Sequence, residues 1–127
     1  MEIHLAKTAG FCFGVNRAVE LTYGLLAEGH NVATLGPLIH NPQAVEDMRR
    51  KGAQVVATVQ DVPAGCEVVI RSHGVPRSVY DELETRGIPY HDATCPFVQK
   101  IQRIAAQAEK EGAVLLVAGD KTHPEVQ

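Results

Sequence analysis

The stretch Leu83-Glu84-Thr85-Arg86-Gly87, followed by the short run Ile88 to His91, decides the fold class. A helix-forming segment ends in charge and glycine, and a strand-sized run begins at once. The same order occurs at Leu25-Leu26-Ala27-Glu28-Gly29 before Asn31, at Met48-Arg49-Arg50-Lys51-Gly52 before Gln54, and at Glu109-Lys110-Glu111-Gly112 before Ala113. Each glycine falls where a helix C-terminus takes a residue in the left-handed conformation. The apolar runs show little polar alternation, as strands covered on both faces do. The pattern predicts strands over 3–6, 31–35, 54–58, 67–71, 88–91 and 113–118. Helices are predicted from 14–16 to 28, then over 42–51, 76–86 and 96–111. Asn41-Pro42 supplies an N-cap and a proline at the first helical position. Residues 59–66 read as a turn or loop. This βα alternation defines an α/β fold with a mostly parallel sheet.

Composition agrees and excludes several classes of function. The chain has 127 residues, 45% of them apolar, with no Trp and only 5% aromatics. That is one domain's worth at about 100–200 residues per domain. The net charge of −3 gives no electrostatic case for gripping nucleic acid or an anionic membrane. No apolar run reaches the roughly 18 residues of a membrane span. The start, Met-Glu-Ile-His-Leu-Ala-Lys, lacks the basic and apolar regions of a signal peptide. A cytoplasmic location is therefore expected. Three Cys in such a chain argue against a disulfide framework and leave metal binding, catalysis or burial.

Placed on the predicted elements, five reactive residues share a phase. Cys12, His40, His73, Cys95 and His123 each lie just beyond the carboxyl end of a predicted strand, spaced by 28, 33, 22 and 28 residues. In open α/β sheets the ligand crevice lies outside those ends, so the five can converge on one site. Cys12, between Gly10-Phe11 and Phe13-Gly14, and Cys95, before Pro96, each precede a predicted helix, whose N-terminus favours a thiolate. His73 stands before a helix whose free N–H groups suit an anion. His123-Pro124-Glu125 places an imidazole and a carboxylate on one stiff turn. The remaining residues have plainer readings. Cys66 reads as a small buried hydrophobe, His30 as a surface turn residue, and His4 and His91 as strand residues. Arg49-Arg50-Lys51 reads as a solvated helix end, and Phe97, Val98, Ile101, Ile104, Ala105 and Ala108 as a core-packing stripe. The spacing lacks the close pairs of a structural zinc site. For an iron–sulfur cluster, which takes three or four thiolates, the two thiols in phase leave the count one short.

Five motifs in order carry a resemblance. They are Gly10-Phe11-Cys12-Phe13-Gly14-Val15 with Arg17-Ala18-Val19, Gly36-Pro37-Leu38-Ile39-His40-Asn41, Arg71-Ser72-His73-Gly74-Val75, Asp92-Ala93-Thr94-Cys95-Pro96, and His123-Pro124-Glu125-Val126. Together they closely resemble the 4-hydroxy-3-methylbut-2-enyl diphosphate reductase (LytB) family. The resemblance implies reductive removal of a hydroxyl from an allylic diphosphate to give isopentenyl and dimethylallyl diphosphate, in non-mevalonate isoprenoid biosynthesis. It implies a [4Fe-4S] cluster held by three Cys, with Cys12 and Cys95 matching the first two and the third absent from this chain. It assigns His40, His73 and His123 to the substrate diphosphate, Glu125 to proton donation, and a ferredoxin or flavodoxin as electron donor.

Family members run to more than twice this length. The resemblance therefore implies an amino-terminal portion, with a first α/β unit over 1–95 and the start of a second, truncated unit over 96–127. Alternatives for the isolated chain are an inactive fragment or a weak diphosphate-binding module. Self-association through an uncovered strand edge, pooling Cys12 and Cys95 from two chains, is a third.

Overall fold

The structure, a computed structural model, describes residues 2–121, 123, 125 and 126. Four helices and four short strands follow the expected alternation: α1 (Phe13–Ala27), β1 (Val32–Leu35), α2 (Pro42–Arg50), β2 (Gln54–Val56), β3 (Glu67–Ile70), α3 (Arg77–Thr85), β4 (Tyr90–Asp92) and α4 (Pro96–Lys110), with a 3₁₀ turn at Val59–Asp61. The glycines after the helices adopt the left-handed conformation the sequence implied, with φ of +86° at Gly29, +107° at Gly52, +64° at Gly87 and +65° at Gly112. Asn41 caps α2, its Oδ1 accepting from Ala44 N at 3.0 Å.

All strand pairs are parallel, in the order β2-β1-β3-β4. Strand residues alternate between two cores. On one face Val32 and Val69 pack with Ala18, Val19 and Leu25 of α1 and Met48 of α2. On the other, Ala33, Val68 and Ile70 pack with Leu83 of α3, Val59 and Cys66. Burial on both faces explains why the two central strands, β1 and β3, read as continuous apolar runs. Cys66 lies in this core as expected, 5% exposed. The chain leaves β1 towards one face and β3 towards the other. The crevice between those two ends is a topological switch point.

Three expectations are corrected. Residues 3–6 and 113–118 are not strands; Ile3 and Leu5 are 80% and 84% exposed, and Val114 and Leu116 89% and 91%. A strand needs a neighbour to satisfy its backbone groups, and among the described residues neither segment has one. The stripe on α4 is not core either. Val98 is buried, but Phe97, Ile101 and Ile104 are exposed, because no described layer faces them. The fourth strand also begins later than expected, at Tyr90, after Pro89, whose carbonyl accepts from Val68 N.

At the amino end of the sheet, Glu67 joins two imidazoles. Its Oε1 lies 2.7 Å from His30 Nδ1 and its Oε2 2.6 Å from His91 Nε2. The hydrogen bond to His91, then that to His30, holds the Glu67 carboxyl below its ordinary value. The hydrogen bond to Glu67 holds His30 above its own. The Glu67 contribution to stability is present above its unfolded value of about 4.5 and fades as pH falls through its lowered value. The His30 contribution is complete below about 6.5 and fades as pH rises through its raised value. Urea midpoints of the native chain should therefore exceed those of Glu67→Gln by most between about pH 4.5 and 6.5, with the gap narrowing on both sides. A gap that does not vary with pH would refute this account.

Candidate functional site

Cys12 and Cys95 are both helix N-caps. Cys12 caps α1 with an extended backbone, and Cys95 caps α4 with φ of −58° and ψ of 132°. Their carbonyls accept the first helical hydrogen bonds, from Asn16 N and from Gln99 N, both at 2.9 Å. Neither thiol is spent on its own helix end, and both are free. The two caps adjoin through Gly14. A Cβ built on Gly14 would stand 2.8 Å from both Cβ and Sγ of Cys95. Glycine here lets the first turn of α1 come against the second thiol.

Two further contacts fix the Cys95 loop. Arg17 donates from Nη1 to Thr94 O at 3.1 Å and from Nη2 to Asp92 O at 3.3 Å. Asp92 Oδ1 accepts from Thr94 N at 2.8 Å, which closes an Asx turn ahead of Cys95. Sequence reasoning quoted Arg17 and Asp92 within motifs but gave them no role. The Asp-x-Thr spacing is the signal that could have found the turn.

The imidazoles converge, but the expected phase holds only for His40 and His73, because no strand forms at 113–118 ahead of His123 or at 3–6 ahead of Cys12. The His40 and His73 rings lie 5.5 Å apart, and His73 and His123 5.9 Å. His40 follows β1 and His73 follows β3, so the first pair straddles the switch point. Cys95 N donates to Ser72 O at 2.9 Å, which ties the second thiol's loop to the residue before His73. Gly74, beside His73, has φ of +78°, and a Cβ there would stand 2.9 Å from Gln102 Nε2 and 3.2 Å from Thr94 Cγ2. His73 Nδ1 is buried and makes no hydrogen bond among the described residues. Burial pushes the His73 pKa down; the Glu125 carboxylate opposes this, while Arg71, His40 and His123 add to it. His73 is thus neutral at pH 7 and presents one N–H donor and one acceptor. Glu125 is exposed, and its backbone N lies 3.3 Å from His123 Nδ1. Pro124 lies outside the described residues.

An iron–sulfur cluster can be tested against these donors. Cys12 and Cys95 suit one chemically, as free thiols at adjoining helix N-termini. Cys66 cannot supply a third ligand, since it is buried in the α3-side core beside Gln54. Among the described residues no group of three or more His, Cys, Asp or Glu is placed to hold a metal ion alone. Also among them, no helix is long and apolar enough to cross a membrane.

Fold and site together define an open-sheet α/β protein with free thiols at two helix N-termini and imidazoles gathered at its switch point. A family model described as LytB protein matches residues 3–127, and the chain belongs to that family. The 4-hydroxy-3-methylbut-2-enyl diphosphate reductase of Caldanaerobacter subterraneus subsp. tengcongensis is 44% identical over 130 residues, covering 99% of this chain and 45% of the relative. That of Syntrophotalea carbinolica is 43% identical, covering 100% of this chain and 45% of the relative. Among solved structures, (E)-4-hydroxy-3-methyl-but-2-enyl diphosphate reductase, described as the terminal enzyme of the non-mevalonate pathway, superposes with a TM-score of 0.83 at 42% identity, covering 98% of this chain and 44% of that one. The Plasmodium falciparum reductase superposes with a TM-score of 0.87 at 27% identity, covering 94% and 38%. The chain thus spans about half the length of the relatives it matches.

Proposed function

We propose that the chain is the amino-terminal portion of a 4-hydroxy-3-methylbut-2-enyl diphosphate reductase, with residues 1–95 as a first α/β unit and 96–127 beginning a second. The observation that carries this reading is the convergence of His40, His73 and His123 beside the paired caps Cys12 and Cys95. These residues come from five separate loops, and plain packing gives no reason for them to meet.

In this reading Cys12 and Cys95 are two of the three thiolate ligands of a [4Fe-4S] cluster, which when bound supplies electrons and a Lewis acid to the substrate hydroxyl. The imidazole N–H groups of His40, His73 and His123 hold the diphosphate oxygens. Neutral His73 is suited to this, since its free ring nitrogen needs no partner stripped from it on binding. Glu125, next to His123, delivers the proton that lets the hydroxyl leave as water. A ferredoxin or flavodoxin supplies the electrons, and the protein works in the cytoplasm.

A chimera tests the reading: residues 1–127 of this chain joined to the remainder of the Caldanaerobacter relative. With the iron–sulfur cluster reconstituted anaerobically, it should convert the allylic diphosphate to both isopentenyl and dimethylallyl diphosphate. His73→Ala should raise KM by about 10- to 100-fold, the range for losing a hydrogen bond to a charged group. A chimera that holds iron but never turns over this substrate would overturn the proposal.

A further inference from the structure

Arg71 follows β3 directly, two residues before His73, and its carbonyl accepts from Gly74 N at 3.0 Å to close the turn that carries the imidazole. Its guanidinium reaches across the switch point to the loop after β1. A Cβ built on Gly36 would meet Arg71 Nη1 at 3.5 Å. Gly36 is itself held by donation to Val56 O at 2.8 Å and has φ of +70°. The cation therefore sits between the His40 loop and the His73 loop.

Arg49, Arg50, Arg77 and Arg86 each pair with a carboxylate, and Arg17 and Arg103 donate to backbone carbonyls. Arg71 has no carboxylate within salt-bridge distance among the described residues, and its buried Nε makes no hydrogen bond there. Leaving a charge partly desolvated and unpaired is costly. Glu82 shares the groove of about 420 Å³ beside Arg71, but it is engaged by Arg86 and Gln60. After burial, the Arg71 charge is among the causes that hold the His73 pKa down. A neutral imidazole there contributes hydrogen bonds but no net charge.

We propose that Arg71 is the standing positive charge of the diphosphate site, a positioning residue that attracts the anion electrostatically while the imidazoles make the hydrogen bonds. This rests on the reading of His40, His73 and His123 given above. A guanidinium keeps its charge at every working pH, and no described carboxylate neutralises this one. It acts through space rather than by contact, so its effect is moderate and sensitive to salt.

The test uses inorganic pyrophosphate binding to the 127-residue chain by calorimetry, and substrate kinetics in the chimera. Arg71→Gln should weaken pyrophosphate binding and raise KM by about fivefold, with kcat within twofold. Arg71→Lys should restore most of the loss, and the difference between Gln and wild type should shrink at about 0.5 M salt. An Arg71→Gln protein with unchanged affinity and KM, while His73→Ala weakens both, overturns the role of Arg71 alone. Pyrophosphate affinity and KM unchanged in His40→Ala and His73→Ala overturn the diphosphate site itself. A drop in kcat that Lys does not rescue marks Arg71 as merely structural and also overturns the proposal.

Discussion

Gly14→Ala should strip the chimera of most of its iron while leaving the sheet folded. Alanine is the better helix former by about 1 kcal/mol, so propensity alone favours the variant. The obstacle is the new methyl group, which would stand 2.8 Å from both Cβ and Sγ of Cys95. Real carbon atoms do not sit that close, and overpacking of this kind costs about 1–3 kcal/mol. The net cost to stability is then at most about 2 kcal/mol, which leaves the sheet folded. The strain falls on Cys95, whose loop is held by Arg17 and the Asp92 turn and yields only by moving the thiol. Gly24→Ala is the control. It lies in the same helix with nothing within 4 Å of its built Cβ, so it should stabilise α1 and leave iron unchanged. Iron and sulfide content after anaerobic reconstitution reads the difference, with at least a fivefold loss expected for Gly14→Ala. Full iron content in that variant would show that the Gly14 contact does not position Cys95.

Cys95→Ala, and equally Cys12→Ala, should abolish cluster retention and lower turnover of the chimera by about 100-fold or more, because even outer partners of metal ligands matter by 10- to 100-fold. Cys66→Ala separates ligation from packing. Cys66 is 5% exposed and packs with Val68, Ile70 and Leu83. Its loss should cost about 1 kcal/mol of stability and leave iron and activity intact. Metal analysis and denaturant unfolding of the three variants suffice. If Cys66→Ala lost the iron and Cys95→Ala kept it, the assignment would be reversed.

Much of the fold was legible because its signals are local. The glycines after α1, α2, α3 and α4, and the Asn41 cap, act within one turn of chain, and each sits where its residue type implied. The meeting of His40 and His73 was legible for a related reason, since both follow strands, β1 and β3, at one end of the sheet; His123 joins them although the strand expected ahead of it does not form. The misses concern partners rather than propensity. Residues 113–118 and the Phe97–Ile101–Ile104 face of α4 carry apolar patterns, but a pattern states a preference for burial and not what provides it. Arg17 and the Glu67 pair of imidazoles went unread because their partners lie far away in sequence. Arg17 reaches Thr94 and Asp92, and His30 reaches Glu67. Such pairings follow from the strand order β2-β1-β3-β4, which no local window contains.

The exposed run at 113–118 also bears on how the chain behaves in a tube. Ala-Val-Leu-Leu-Val-Ala is uncharged, free of proline and apolar throughout, and Val114 and Leu116 are almost wholly in solvent. Segments of that composition stack readily into amyloid-like zippers once concentrated. The chain by itself therefore carries a built-in concentration ceiling, set by six residues outside its two cores. A single lysine at Leu116 would raise that ceiling without touching a cysteine or an imidazole.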